Sequence, residues 1–95
     1  MIHISISPEG IEVTGHAGAG PPGHDLVCAA VSTMVQNLIA SDQALTENNI
    51  KADLCEGHAK ITFGELTDAE QLLVDSFFIG ICGIATAYPD NVKII

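Results

Sequence analysis

Apolar and polar side chains alternate at the start of the chain, as is typical of strands with one buried face. Residues 2–7 place isoleucine at each even position and a polar side chain at each odd one, which predicts a half-buried strand. Pro8-Glu9-Gly10 is a turn signal. Residues 11–16 alternate again, so the two runs predict a β-hairpin with His16 at its end, on the side opposite the apolar residues.

A glycine- and proline-rich segment separates this hairpin from a predicted helix. Residues 17–24 read AGAGPPGH, a composition that excludes a helix or an inner strand and predicts a loop. Asp25 is a favoured N-cap, so the first helical residue is expected to be Leu26. The polar residues 42–49 are expected to close this helix. Its apolar stripe consists of Val27, Val31, Met34, Val35, Leu38 and Ile39.

A second strand pair follows the first helix. Residues 50–56 and 58–64 alternate between apolar and polar side chains on either side of Gly57, which predicts another hairpin. Thr67 and Glu70 have the spacing of a capping box, so a second helix is expected to begin there.

The second helix is expected to reach about Tyr88, because Pro89 stops it. Toward its end the helix is apolar nearly all round, which predicts that it is buried. Gly80 and Gly83 are expected to let another backbone approach closely. Residues 91–95 predict a last short strand.

These elements give the order ββαββαβ within a single domain, residues 1–95. We therefore expect an α+β fold with a mostly antiparallel sheet and two helices packed on one face. The strand order within the sheet does not follow from these patterns.

The charge balance narrows the classes of partner. The chain has twelve acidic residues but only three lysines and no arginine, which gives a formal net charge of −9. Such a chain repels a phosphate backbone, so direct nucleic-acid binding is not expected, whereas basic partners are attracted. A chain this short buries only about 60 to 65% of its unfolded surface, and a homodimer would cover surplus apolar surface. The most apolar stretch, residues 77–88, is too short to span a bilayer, which needs about 20 residues, so no membrane partner is expected.

The three cysteines are widely spaced, and none belongs to a CxxC pair, which indicates free thiols and a cytoplasmic location. Cys28 is the third residue of the predicted first helix. The unpaired N–H groups and the positive end of the helix dipole favour the thiolate at that position. Cys28 is therefore expected to be the most reactive of the three thiols.

His16 stands twelve positions before Cys28, and the flexible loop between them allows the two to meet. An imidazole beside a thiol accepts its proton and later protonates the leaving amine. Free N–H groups of the first helical turn would bind the oxyanion. Ser32 lies one turn after Cys28, where it either supports the site or bonds back to the carbonyl of Cys28.

The residues Gly15-His16-Ala17, the glycine-rich loop and the string DLVCAAVS at residues 25–32 together resemble the ribosomal-processing cysteine protease family called Prp. The resemblance spans nearly the whole chain. It implies a cysteine endopeptidase with His16 and Cys28 as catalytic dyad and Asp25 as an orienting or capping residue. It also implies a substrate loop that moves to admit the peptide. In this chain the loop contains Gly18, Gly20, Gly23 and His24.

The resemblance further implies that the enzyme removes the N-terminal extension of the large-subunit ribosomal protein numbered twenty-seven. The expected partner is thus a ribosomal protein precursor with a basic N-terminal extension. Phage-borne relatives would act on a capsid or scaffold protein. The family is dimeric, which agrees with the surplus of apolar residues.

Two other functions remain open. The chain would also suit a non-enzymatic, acidic, dimeric module that binds a basic ribosomal or phage protein tail. A zinc site formed by His16, His24 and Cys28 lacks a fourth ligand with suitable spacing, so no metal and no cofactor are expected. The remaining candidates are interpreted as solvated His3 and His58, an ordinary thiol at Cys55 and a core thiol at Cys82.

Overall fold

The structure, a computed structural model, describes residues 1–15 and 26–95. It confirms the predicted order ββαββαβ. The elements are β1 (Ile2–Ser7), β2 (Gly10–Thr14), α1 (Leu26–Leu45), β3 (Ile50–Cys55), β4 (His58–Phe63), α2 (Asp68–Ala87) and β5 (Val92–Ile94).

The five strands form one sheet in the order β3-β4-β2-β1-β5. Both hairpins are antiparallel, and β2 pairs antiparallel with β4, so the two hairpins join at the centre. Only β5 runs parallel to its neighbour, with Ile2 opposite Val92. The α+β fold with a mostly antiparallel sheet is therefore confirmed.

The core lies between one face of the sheet and the two helices. Alternation along the strands sends Ile4, Ile11 and Ile61 to that face, where each is at most 2% exposed. The predicted stripe of α1 meets them, although Met34 and Ile39 are only partly buried. The buried apolar residues of the two helices are Val27, Val31, Val35, Leu38, Val74, Phe77 and Ile81.

The first helix ends at Leu45, within the polar residues 42–49 that were expected to close it. Asp42 is inside the helix and completely buried. Its carboxyl group accepts the N–H of Ile50 at 3.0 Å, and the hydroxyl of Thr46 bonds to its carbonyl oxygen at 2.7 Å. These partners satisfy the polar groups of Asp42, so its side chain can be buried in the interior of the protein.

The second helix begins at the predicted capping box. The hydroxyl of Thr67 accepts the N–H of Glu70 at 3.2 Å, and the carboxylate of Glu70 accepts the N–H of Thr67 at 3.1 Å. The helix ends as expected, with Tyr88 as its C-cap.

The prediction that α2 is buried is wrong for the single chain. Within residues 1–15 and 26–95, the buried side chains of α2 lie on one side of the helix, and Leu72 and Ile79 are 69% and 72% exposed. Gly80 faces the flexible end of the Met34 side chain rather than a backbone, and Gly83 faces open space. Cys82 is half-buried and lies outside the buried core.

By length and hydropathy alone, α2 could cross a bilayer. Its Val74, Phe77 and Ile81 are nevertheless buried against the protein, and Glu70 is bonded to the segment that follows α1. A core helix of a soluble protein passes the same test of length and hydropathy.

Candidate active site

An open groove of about 320 Å³ lies between the first half of α1 and the turn that joins β3 to β4. Its floor is apolar, since Val13 and Ala59 reach it from neighbouring strands. The helix contributes Cys28, Val31, Ser32, Val35 and Gln36, and the hairpin end contributes Leu54, Cys55, Glu56, Gly57 and His58.

Cys28 is the third residue of α1 and lines this groove. Its side chain is half-buried, so the protein covers one side of the thiol while the groove gives access to the other. The N–H groups of the first helical turn have no partner within the helix, and the positive end of the helix dipole stabilises a thiolate there. Position and exposure therefore both favour a nucleophile at Cys28.

Ser32 lies one helical turn after Cys28 and lines the same groove. The neighbouring Thr33 makes a back-bond of this kind, since its hydroxyl donates to the carbonyl of Ala29 at 2.8 Å. The Ser32 side chain is exposed to the groove, where it can contact a bound molecule.

Gly15 brings the chain to the edge of the groove immediately before His16. Its φ of +92° is in the left-handed region, and a Cβ at this position would collide with the carbonyl of Met1. Its N–H donates to the carbonyl of Gly57 at 2.9 Å, which ties the end of β2 to the turn of the second hairpin. This turn of the chain requires glycine.

Several predicted site residues lie outside the described residues. These are the proposed base His16, the capping Asp25, and the loop residues Gly18, Gly20, Gly23 and His24. The zinc alternative also depends on two of them, His16 and His24. Within residues 1–15 and 26–95, no group of three or more His, Cys, Asp or Glu side chains is arranged to hold a metal ion.

The structure shows a side-chain cluster that the sequence analysis missed. His58 is not a solitary solvated residue, because its Nε2 lies 2.7 Å from a carboxylate oxygen of Glu12. Its Nδ1 lies 4.0 Å from the sulfur of Cys55, which is therefore more than an isolated thiol. The hydrogen bond to His58 is the main cause that lowers the pKa of Glu12. The short turn around Gly57 was the available signal, since it sets Cys55 opposite His58.

Comparison with known proteins identifies relatives over almost the whole chain. The model of a family described as "Cysteine protease Prp" matches residues 1–93. The ribosomal processing cysteine protease Prp of Bacillus subtilis (strain 168) is 31% identical over 90 residues, covering 87% of this chain and 80% of the relative.

Two solved structures share the fold. SMU.848 from Streptococcus mutans is 33% identical with a TM-score of 0.74, over 98% of this chain and 89% of that one. The essential ribosomal processing protease Prp from S. aureus, in complex with a covalently linked product peptide, has a TM-score of 0.86. Its identity is 23%, over 98% of this chain and 94% of that one, so this likeness establishes the fold.

Proposed function

Because the chain belongs to the cysteine protease Prp family, we propose that it removes the N-terminal extension of the large-subunit ribosomal protein numbered twenty-seven. The observation that carries this proposal is the position of Cys28, at the first turn of α1 and open to a groove. A sulfur buried in the core at that position would have excluded it.

The proposed reaction uses Cys28 as nucleophile and His16 as base. His16 accepts the thiol proton, and the thiolate attacks the carbonyl carbon of the scissile bond. N–H groups of the first turn of α1 bind the oxyanion of the tetrahedral intermediate. The protonated imidazole then gives its proton to the leaving amine, and water hydrolyses the thioester that remains on Cys28.

The groove supports a peptide substrate. Its floor, with Val13 and Ala59, is apolar and open, and it would receive side chains of an extended segment that passes Cys28. The S. aureus relative of the same fold was crystallised with a covalently linked product peptide, which agrees with a thiol that bonds to its substrate. The net charge of −9 favours a basic extension over an acidic one.

A cleavage assay tests this function directly. The purified chain is incubated with a peptide that spans the basic N-terminal extension and its junction, and mass spectrometry of the products identifies the cleaved bond. We expect one major cleavage site, and a loss of activity of at least about a thousandfold in Cys28→Ser. Cys82→Ser is the matched control, because Cys82 lies outside the groove, and it should cleave at the wild-type rate.

The second candidate function is a non-enzymatic module that binds a basic ribosomal or phage tail. The acidic charge favours it as well. This function predicts that the wild type and Cys28→Ser both bind the extension peptide and that neither of them cleaves it. Cleavage of a phage capsid or scaffold peptide, but not of the ribosomal peptide, would indicate that the substrate is a phage protein.

We propose that the chain acts in the cytoplasm as a homodimer. Leu72 and Ile79 lie seven residues apart on one side of α2, and both are largely exposed. Exposed leucine and isoleucine at helical spacing are typical of a contact between copies of a chain. Pairing through this face would cover the surplus of apolar surface that the short chain leaves.

A further inference from the structure

Three side chains from three adjacent strands meet on the sheet face opposite the helices. Cys55 and His58 are directly paired across β3 and β4, and Glu12 of β2 is opposite Lys60, two residues along β4 from His58. Strand alternation directs these side chains away from the buried Val13 and Ile61. The cluster therefore faces solvent on this side of the sheet, although Cys55 and His58 also border the groove that contains Cys28.

The distances assign a role to each ring nitrogen of His58. Nε2 is 2.7 Å from Oε2 of Glu12, and an ionised carboxylate only accepts hydrogen bonds, so Nε2 carries the hydrogen. The lone pair of the neutral ring is then on Nδ1, 4.0 Å from the sulfur of Cys55. This is the order acid, imidazole, thiol, in which the imidazole can accept the thiol proton.

Glu12 is suited to stabilise the imidazolium that such a transfer creates. The hydrogen bond from His58 lowers the pKa of Glu12, and the charges of His58 and Lys60 act in the same direction. The carboxylate consequently stays ionised when the ring is charged. Cys55 is itself exposed, so a reagent reaches the sulfur without any change in the fold.

We propose that Cys55 is a second reactive thiol, which exchanges with low-molecular-weight disulfides while His58 accepts its proton and Glu12 orients the ring. The thiolate attacks one sulfur of the disulfide, whose S–S bond breaks as a new S–S bond to Cys55 forms. The other half leaves as a thiolate and takes the proton from His58. Cys55 is oxidised and the small disulfide is reduced, so electrons and atoms balance. This exchange does not depend on peptide cleavage at Cys28.

Site-resolved mass spectrometry tests the proposal on the full chain with oxidised glutathione as the probe. Samples quenched with acid at successive times give a separate rate of adduct formation for each cysteine. In the wild type, Cys55 should be modified faster than the half-buried Cys82, which serves as internal reference. Equal rates at Cys55 and Cys82 would overturn the proposal.

Substitutions separate the role of the cluster from simple exposure. His58→Gln places an amide N–H near the position of Nε2, so it retains a donor to Glu12 but has no basic nitrogen, and it should slow modification of Cys55 by about tenfold or more. Glu12→Gln should slow it by about a few fold, because the imidazolium loses its partner. Glu9→Gln, the same change at an exposed glutamate in the β1–β2 turn, is the matched control and should leave the rate unchanged. An unchanged rate in His58→Gln contradicts the proposal.

Discussion

Asp42 and Glu70, two carboxyl residues from different helices, share a hydrogen bond in a fully buried site between the end of α1 and the start of α2. The hydroxyl of Thr46 contacts both side chains. Asn49 donates to Glu70 from its backbone at 2.8 Å and from its side chain at 2.7 Å. Burial and the hydrogen bond with Glu70 raise the pKa of Asp42, whereas the hydrogen bond from Asp42 lowers the pKa of Glu70.

The raised pKa of Asp42 predicts a pH-dependent stability. A group whose pKa is raised on folding contributes stability at low pH and loses it as the pH rises through the raised pKa. Asp42→Asn imitates the protonated carboxyl group and cannot ionise, so the free energy of unfolding of this variant should increase relative to the wild type as the pH rises. Urea unfolding at several values from about pH 5 to about pH 9 measures this difference. A difference that does not change with pH would contradict the raised pKa of Asp42.

For Glu70 we predict the opposite dependence of stability on pH. Its lowered pKa means that the ionised form contributes stability above its ordinary value of 4.5, and this contribution is lost only as the pH falls through the lowered pKa. Glu70→Gln places an amide where the carboxylate accepts hydrogen bonds from Thr67, Asn49 and Thr46. We expect a loss of about 1–3 kcal/mol near neutral pH in the same urea titration. Glu65→Gln, the same change at an exposed glutamate just before α2, serves as control and should cost less than about 0.5 kcal/mol.

Gly15→Ala should destabilise the protein and disturb the groove. The left-handed φ of +92° and the collision with the carbonyl of Met1 both oppose a side chain here. We expect a loss of about 2 kcal/mol or more in the free energy of unfolding, measured by urea titration. Gly83→Ala is the matched control: its added methyl group meets open space in a helix, and it should gain up to about 1 kcal/mol. Equal stability of Gly15→Ala and the wild type would show that the backbone at Gly15 relaxes freely.

Cleavage of a basic peptide should weaken with added salt. The chain carries a net charge of −9, and salt screens its attraction for a basic substrate beyond about 10 Å at 0.1 M ionic strength. We expect kcat/KM to fall by about three- to tenfold between about 20 mM and about 300 mM salt. A peptide with the same scissile segment but neutral flanks is the control and should respond weakly. An equal decrease in kcat/KM for both peptides would show that the salt effect is not due to electrostatic attraction of the basic flanks.

The exposed side of α2 predicts how the proposed homodimer forms. If the chain pairs through this side, Ile79→Asp should give a monomer, because a buried, unpaired charge in an apolar contact is costly. Leu45→Asp is the control: Leu45 is 74% exposed but lies at the end of α1, so the dimer should persist. Size-exclusion chromatography with light scattering gives the mass of each variant. A dimer that survives Ile79→Asp would rule out this face.

The sequence by itself determined the elements of the fold and their order. Alternation with a period of two defined β1 and the second hairpin, and the capping box defined the start of α2, because these signals are local. Local position also placed Cys28 in the first turn of α1, and the string around it indicated the family. The spacing of apolar residues could not predict that Asp42 is buried within the helix, because its partners Ile50 and Glu70 belong to other elements.

Tertiary structure alone decided which side chains meet. The strand order β3-β4-β2-β1-β5 brings Glu12 to His58 across 46 positions of sequence, and no local pattern encodes that pairing. It also decided that only one side of α2 is covered, although the helix is apolar nearly all round. Burial depends on which surfaces the other elements offer, and two helices on one sheet face leave the outer side of α2 without a layer above it.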